Sequence, residues 1–181
     1  MNDTAPAELV RRQYLAAHGA HVKPTYEHMM AKSRAGVVKA ALGYRRAGEM
    51  PLFLERYLEA PIEQVLSDVL AQDVRRDSVL EIGNLAADDA MSLISLWGAV
   101  ANDLGGQCEV AVATLTAGLR SMFVRIGVPL HFLAPAKICR VDDPAIWGRY
   151  YDCDPWVCAG IIEEGQRAIS AFFARRRRAA L

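Results

Sequence analysis

Val79-Leu80-Glu81-Ile82-Gly83-Asn84-Leu85-Ala86 sets the plan of the chain. It opens as a strand, with Val79, Leu80 and Ile82 around a single acidic residue. At Gly83-Asn84 the backbone turns or bulges, because Gly meets no penalty at unusual dihedrals and Asn tolerates them. Asp88-Asp89 then opens a helix carrying Met91, Leu93, Ile94, Leu96, Trp97, Val100 and Leu104. Apolar residues lie almost all round it, which predicts burial on more than one side. A carboxylate inside an apolar strand, next to a break in that strand, is either a surface charge or a placed group.

Downstream, Cys108 to Ala113 reads as a strand. Leu119, Met122, Phe123 and Ile126 mark one face of a helix that Gly127 closes. Leu130 to Leu133 is a further strand. Asp143 and Pro144 open a short helix through Trp147 to Tyr150, Trp156 to Ile162 is strand-like, and Ile169, Phe172 and Phe173 place a terminal helix against the core. Upstream, Ala7 to Ala17 has helical spacing and Gly19 ends it. His21 to Lys32 and Val37 to Tyr44 then form a hairpin about a polar turn. Leu52 to Leu58 is an apolar run with Glu55 and Arg56 in its middle. Read as extended, it puts Glu55 and Tyr57 on one face. Pro61 begins a helix with Ile62, Val65, Leu66, Val69 and Leu70 as its stripe. A hairpin and helix followed by strand–helix–strand–helix–strand is α/β or α+β, in one layered domain over 1–181.

The totals narrow the function classes. With 181 residues and 52% of them hydrophobic, the chain can bury a substantial core. Lys plus Arg equals Asp plus Glu at 21 each, so the net charge is zero. That argues against non-specific binding to nucleic acid or anionic membrane. No apolar run approaches the roughly 20 residues a spanning helix needs. Asn2, Asp3 and Thr4 do not follow the basic-then-apolar plan of a secretory signal, so the expectation is a cytoplasmic protein. Four cysteines fit reduced thiols there. They contain no CxxC pair, the four histidines show no metal spacing, and no metal site is expected. Cys108 and Cys158 read as core residues.

Pro51-Leu52-Phe53-Leu54-Glu55-Arg56-Tyr57-Leu58-Glu59-Ala60-Pro61-Ile62-Glu63 closely resembles the most characteristic stretch of the thermostable hemolysin family. The likeness continues through Glu81 to Ala86, Leu119 to Gly127, Leu133-Ala134-Pro135-Ala136, and Trp147-Gly148-Arg149-Tyr150-Tyr151 with Pro155, covering roughly Tyr14 to Gly160. Members look like GNAT-fold proteins, and their nearest mechanistic likeness is to acyl-homoserine-lactone synthases. The resemblance implies a single-domain GNAT-like fold, with a central mixed, mostly antiparallel sheet flanked by helices. It also implies transfer of an acyl group from a thioester to a small amine, with no tightly bound cofactor. The parallels to the synthases are Gly43-Tyr44-Arg45, then Pro51-Leu52-Phe53-Leu54, then Glu81-Ile82-Gly83-Asn84-Leu85. Asn84 stands where the synthases have Arg, and Gly83 replaces Ser. Their N-terminal acidic and aromatic motif is missing, so S-adenosylmethionine and a homoserine-lactone product are not expected. No Arg/Gln-x-x-Gly-x-Gly/Ala loop follows the central strand to cradle the phosphates of coenzyme A. Asp88-Asp89 at the helix start would repel phosphate. The resemblance therefore implies acyl carrier protein as donor and partner ahead of acyl-coenzyme A.

Acyl transfer to an amine needs a base, donors for the oxyanion and a slot for the thioester arm. Glu81 is the first choice for the base, since burial in an apolar strand raises a carboxylate pKa; the alternative is a solvent-facing or arginine-paired residue. Asn84 and backbone N–H groups freed at Gly83 can hold a carbonyl, or simply end the strand. Tyr44 and Arg45 belong to the substrate-binding set by resemblance, Arg45 as carboxylate clamp or ion-pair partner. Glu55, Arg56 and Tyr57 can orient an amine, or lie on a solvated edge. Thr114 and Thr116 follow a strand where the donor cleft of GNAT folds lies, or Thr116 caps the next helix. Trp147, Tyr150 and Tyr151 wall an acyl pocket, or pack in the core. The run Arg175 to Arg178 is a solvated helix end or an attraction for an acidic carrier. Two other function classes stay open beside acyl transfer: a membrane-active protein, as the family name suggests, and a catalytically silent GNAT-like binding module.

Overall fold

The computed structural model describes residues 4–180, so the polar start read at Asn2 and Asp3 lies outside the described residues. The strand read from Val79 is β3 (Val79–Ala87), near the middle of a six-stranded sheet of order β1-β2-β3-β4-β6-β5. The hairpin upstream is β1 (His28–Arg34) and β2 (Val37–Arg46), turned at Ala35-Gly36. β4 (Val110–Leu115) lies on the other side of β3, and β6 (Trp156–Ile161) and β5 (His131–Pro135) complete the sheet. Only β3 and β4 run parallel; the other neighbours are antiparallel, as the expected mixed, mostly antiparallel sheet requires.

Alternation along β3 sorts its side chains between two layers. Leu80 and Ile82 face α3 (Ala90–Leu104), α4 (Ala117–Ile126) and α5 (Ile162–Ala179), where Ile94, Leu96, Val100, Phe123 and Ile169 form the larger core. Val79 and Glu81 face the opposite way. Val79 joins a second core with Leu54, Tyr57, Ile62 and Leu66, built on a 3-10 helical turn at Phe53–Tyr57 and α2 (Ile62–Leu70). α1 (Thr4–His18) covers Ala41 and Ala86 with Leu9 and Val10. α3 begins as its sequence predicts, with the Asp89 carboxylate accepting from the Ser92 amide at 2.8 Å. Gly127 closes α4 in the left-handed conformation, φ 95°.

Two local expectations need correction. Leu52 to Leu58 is not extended: the 3-10 turn folds Glu55 back onto its own loop, so Glu55 and Tyr57 do not share a strand face. Asp143 makes no side-chain cap to the short helix Pro144–Trp147, and a separate turn, Tyr150–Cys153, follows it.

Candidate active site

β3 and β4 pair only from Val79 to Ile82 against Val110 to Ala113. Beyond that point β4 stays with β6 and β3 stays with β2, so the two strands part like the arms of a V. The cause sits at Asn84. Between Gly43↔Gly83 and Ala41↔Ala86, β3 spends one residue more than β2, and Asn84 absorbs it at φ 51°. Asn is among the few non-glycine residues that take this left-handed conformation readily, and the result is a β-bulge that re-aims the strand.

Three cavities meet this V. On the Glu81 side, a cavity of about 310 Å³ is walled by Tyr14, Tyr26, Phe53, Tyr57, Trp147 and Tyr150. Glu81, Gly83, Asn84 and Thr114 form its floor, and Lys23, Arg56, Asp142 and Asp143 also line it. A cleft of about 320 Å³ runs between the parted strands and the first turns of α3 and α4, past Leu93, Thr116, Leu119 and Met122. Both share Tyr14, Gly83, Asn84, Thr114 and Tyr150. One turn further along α3 and α4, Trp97 and Phe123 line an inner apolar cavity of about 50 Å³ beneath the sheet. Their rings meet edge to face at 4.7 Å.

Among the described residues, Glu81 is the one acidic or basic side chain in the buried class, 2% exposed. Its carboxylate accepts from the Phe53 amide at 2.8 Å and the Leu54 amide at 2.9 Å, while Arg45 Nε stands 3.4 Å away. Burial raises the Glu81 pKa; the two amides, Arg45 and the Tyr26 hydroxyl pull it back without cancelling the rise. Removing the carboxylate would leave two buried amides unpaired, at about 1–3 kcal/mol each. The sequence reading of Glu81 as a surface charge is thus excluded by geometry, and its other alternative, pairing with an arginine, coexists with a place on the cavity floor.

Tyr26 is the residue that the sequence reading missed. Its ring lies flat over the cross-strand pair Gly43 and Gly83. A Cβ on Gly43 would stand 2.5 Å from Tyr26 Cβ, and one on Gly83 would stand 2.1 Å from Tyr26 Oη. The guanidinium of Arg45 covers the same ring, 4.3 Å from its centre. The hydroxyl is thereby held over Gly83, on the Glu81 face of β3; burial and the nearby Glu81 carboxylate push its pKa well above the ordinary tyrosine value.

The other expected residues divide. Arg56 and Tyr57 line the Glu81 cavity, Arg56 resting on the Phe53 ring at 3.9 Å and Tyr57 Oη lying 2.7 Å from Tyr151 Oη. Thr114 reaches both spaces and Thr116 the cleft; Thr116 starts α4 without a side-chain cap. Trp147 and Tyr150 are wall, and Tyr150 stacks on Tyr14 at 6.0 Å. Arg45 stands behind Glu81 and donates to the Pro51 carbonyl at 3.3 Å. Two residues lie apart from the cavities. Tyr44 pairs with Ile82, faces the helical core and stacks on His28 at 5.1 Å. Glu55 is committed to Arg76 at 2.6 Å and 2.9 Å and to the Leu52 and Ile62 amides, which hold its pKa down to about 2.

Asp88 also changes meaning. It is bound by Arg12 at 2.7 Å, Lys39 at 3.0 Å and Gln13 at 3.0 Å, so two cations offset its charge beside the cleft. Cys153, unremarkable in sequence, has Sγ 3.7 Å from His18 Nδ1 behind the Tyr14–Tyr150 wall. Among the described residues no group of three or more His, Cys, Asp or Glu is placed to hold a metal ion. No helix there is long and apolar enough to cross a membrane.

Comparison with solved structures gives the same overall fold. A ternary complex of TofI with an inhibitor and MTA superposes with TM-score 0.61 at 18% identity, over 94% of this chain and 91% of that one. The acyl-homoserine-lactone synthase LasI gives 0.61 at 14%, over 91% and 86%. FeeM, an N-acyl amino acid synthase from uncultured soil microbes, gives 0.61 at 13%, over 91% and 92%. At these identities the likeness establishes the fold, which is GNAT-like as the sequence resemblance implied. Among curated proteins none matches the sequence. The thermostable hemolysin family model matches residues 2–166, and with nearly the whole length inside that match the chain belongs to the thermostable hemolysin family.

Proposed function

We propose that the protein is an N-acyltransferase that moves an acyl group from a thioester to a small amine. One observation carries the reading: the cavity over Glu81 and the cleft between the parted strands share Asn84, Gly83 and Thr114. A carbonyl placed at Asn84 is open to a thioester arm from one side and an amine from the other, as direct transfer in a ternary complex requires. The amine nitrogen attacks the carbonyl carbon, the C–N bond forms and the C–S bond breaks. The proton lost by nitrogen goes toward the Glu81 end of the cavity and returns to the departing sulfur, giving amide and free thiol. Asn84 Nδ2 is buried and has no partner. A buried amide donor without an acceptor is costly, and an oxyanion is a fitting acceptor for it.

The acyl chain lies along Leu93, Leu119 and Met122 of the cleft and points toward the apolar cavity lined by Trp97 and Phe123, one turn further along α3 and α4. The donor is carrier-bound acyl thioester in preference to acyl-coenzyme A. Support for that preference is the missing phosphate loop, together with a first turn of α3 whose Ser92 amide and hydroxyl are already given to Asp89. Solved structures with this fold include synthases described as coenzyme A-dependent, so both donors belong in the test.

The test is incubation with a panel of acyl-coenzyme A and acyl-carrier-protein thioesters and small amines, read by mass spectrometry. N-acyl product is expected with the wild type and about 10²-fold or more less with Glu81→Gln, the usual scale for removing acid–base assistance. Full activity in Glu81→Gln would remove Glu81 from the chemistry. Leakage of liposomes at low protein concentration, with no acyl transfer, would favour the membrane-active reading instead.

A further inference from the structure

Glu81 is the obvious proton acceptor, yet it is poorly placed to touch a substrate. It is 2% exposed, and two backbone amides and Arg45 already surround its oxygens. The Tyr26 hydroxyl lies over Gly83, two residues along the same face of β3 from Glu81 and next to Asn84, and Tyr26 lines the same cavity as both. The chain spends unusual resources on fixing this ring. Two glycines face each other across β2 and β3 where β-branched residues would otherwise be favoured, and each leaves a space that the tyrosine fills within 3 Å. The Arg45 guanidinium lies over the same ring, 4.3 Å from its centre. A tyrosine serving as packing alone needs neither a glycine under its hydroxyl nor a buried carboxylate beyond it.

We propose that Tyr26 is the catalytic group that meets the acceptor nitrogen and hands its proton on to Glu81. The inference rests on the acyl-transfer reading and assigns the proton path within it. The acceptor is a primary amine in its neutral form. As nitrogen attacks the thioester carbonyl, the C–N bond forms and an N–H proton passes to Tyr26 Oη. In the same movement the Tyr26 hydroxyl proton passes to the Glu81 carboxylate. When the C–S bond breaks, the path runs in reverse, and the thiolate leaves as thiol. Tyrosine ends as it began, neutral, and no other reactant is needed. The amine is held beside the aromatic wall of Tyr14, Phe53, Trp147 and Tyr150, which favours an acceptor with an apolar body next to its nitrogen.

Steady-state transfer by the full chain, with the donor and amine that the wild type uses, tests this through a double-mutant cycle. Tyr26→Phe keeps the ring on its glycine floor and removes only the hydroxyl. We expect kcat to fall about 10²-fold or more with KM changed less than about threefold, because the lost contact acts on the proton in the transition state. Glu81→Gln should fall similarly, and the double variant should be no worse than the poorer single by more than about threefold, since two members of one relay fail as a unit. Gly83→Ala, which displaces the hydroxyl without touching Tyr26 in sequence, should share the kcat loss and covers the case of a poorly folded Tyr26→Phe. Tyr26→Phe at wild-type kcat, or a double variant whose loss is the product of the two single losses, would overturn the relay while leaving acyl transfer intact. A wild type inactive with every donor and amine would overturn both readings.

Discussion

Gly43→Ala offers the sharpest test of the site's architecture, because it needs no substrate. Gly43 is not in the left-handed region, so its backbone accepts alanine, and a free site in a strand would gain about 0.5–1 kcal/mol from the change. The space is not free. The new Cβ would lie 2.5 Å from Tyr26 Cβ, 2.6 Å from Cγ and 2.9 Å from Cδ2. Carbon atoms rest at about 3.5–4.0 Å, so the ring must move by about 1 Å. The nearest blocking atom, Cβ, is fixed by the backbone, and no rotamer change clears it. Overpacking of this kind costs about 1–3 kcal/mol. Displacing the ring from Arg45 forfeits about 1 kcal/mol of cation–π attraction. Against the strand gain, the net destabilisation is about 2 kcal/mol. For a chain of this size that is a fall of about 4–8 °C in Tm. In a Tyr26→Gly background the obstacle, Cβ included, is gone, and Gly43→Ala should be neutral or stabilising by about 0.5 kcal/mol. The coupling read from urea unfolding of the four proteins is therefore about 2 kcal/mol, with m unchanged. If Gly43→Ala were equally damaging with glycine at 26, the glycine at 43 would be serving something other than Tyr26. The account of the floor would then be wrong.

Glu55→Gln should destabilise the protein by about 2 kcal/mol at pH 7, the scale of a charged hydrogen-bonded group lost to its partners. Glu55 in the folded protein titrates at about 2, against 4.5 when unperturbed. Its contribution is therefore present above about pH 4.5 and lost as the pH falls toward 2, and the gap between wild type and variant in urea titrations should close over that window. Trp97→Leu removes half of the Trp97–Phe123 contact at the end of the cleft. It should cost about 2 kcal/mol in stability. It should also lengthen the longest acyl chain transferred, as a ladder of acyl thioesters read by mass spectrometry would show; an unchanged cut-off would place the chain elsewhere. Cys153→Ala should leave kcat unchanged, because direct attack by the amine needs no thiol. Loss of activity together with an acyl adduct on Cys153 of the wild type would replace direct attack with a covalent intermediate.

The parts legible in sequence were those that depend on near neighbours. Period and punctuation placed β2, α3, α4 and the strands on either side to within a few residues, while the first arm of the hairpin, read from His21, becomes a strand only at His28. Gly83-Asn84 announced the break, and a single carboxylate among Val79, Leu80 and Ile82 announced a placed group. Contacts set by register were not legible. Tyr26 matters because Gly43 and Gly83 come to face each other across two strands, a pairing that neither glycine reveals alone. The resemblance put Tyr44 and Arg45 together in the substrate-binding set, and only the register separates them: Arg45 is the cross-strand partner of Glu81, and Tyr44 that of Ile82 on the other face. Glu55 was misassigned because a run of alternating character folded into a helical turn, where apolar spacing of this length fits either form. His18 and Cys153 are 135 residues apart, beyond the reach of any motif.

The same distinction bears on the donor. Read along the chain, Asp88-Asp89 is a double negative charge at a helix N-terminus and a reason to refuse phosphate. In three dimensions Asp88 is bound by Arg12 and Lys39, and Asp89 is turned onto Ser92 as the cap of α3. The repulsion that remains is chiefly that of Asp89 alone, an exposed carboxylate whose field falls off within about 8–10 Å in physiological salt. The preference for a carrier-bound donor proposed above therefore cannot rest on charge at this helix. It rests on shape: a phosphate loop presents several backbone N–H groups to one anion, while here the first turn of α3 has already given the Ser92 amide and hydroxyl to Asp89. A carrier-bound donor asks less of this end of the cleft, needing room for the arm and not a cradle for its phosphates. The bulge at Asn84 supplies that room by parting β3 from β4, and the same parting opens the path to the cavity over Glu81.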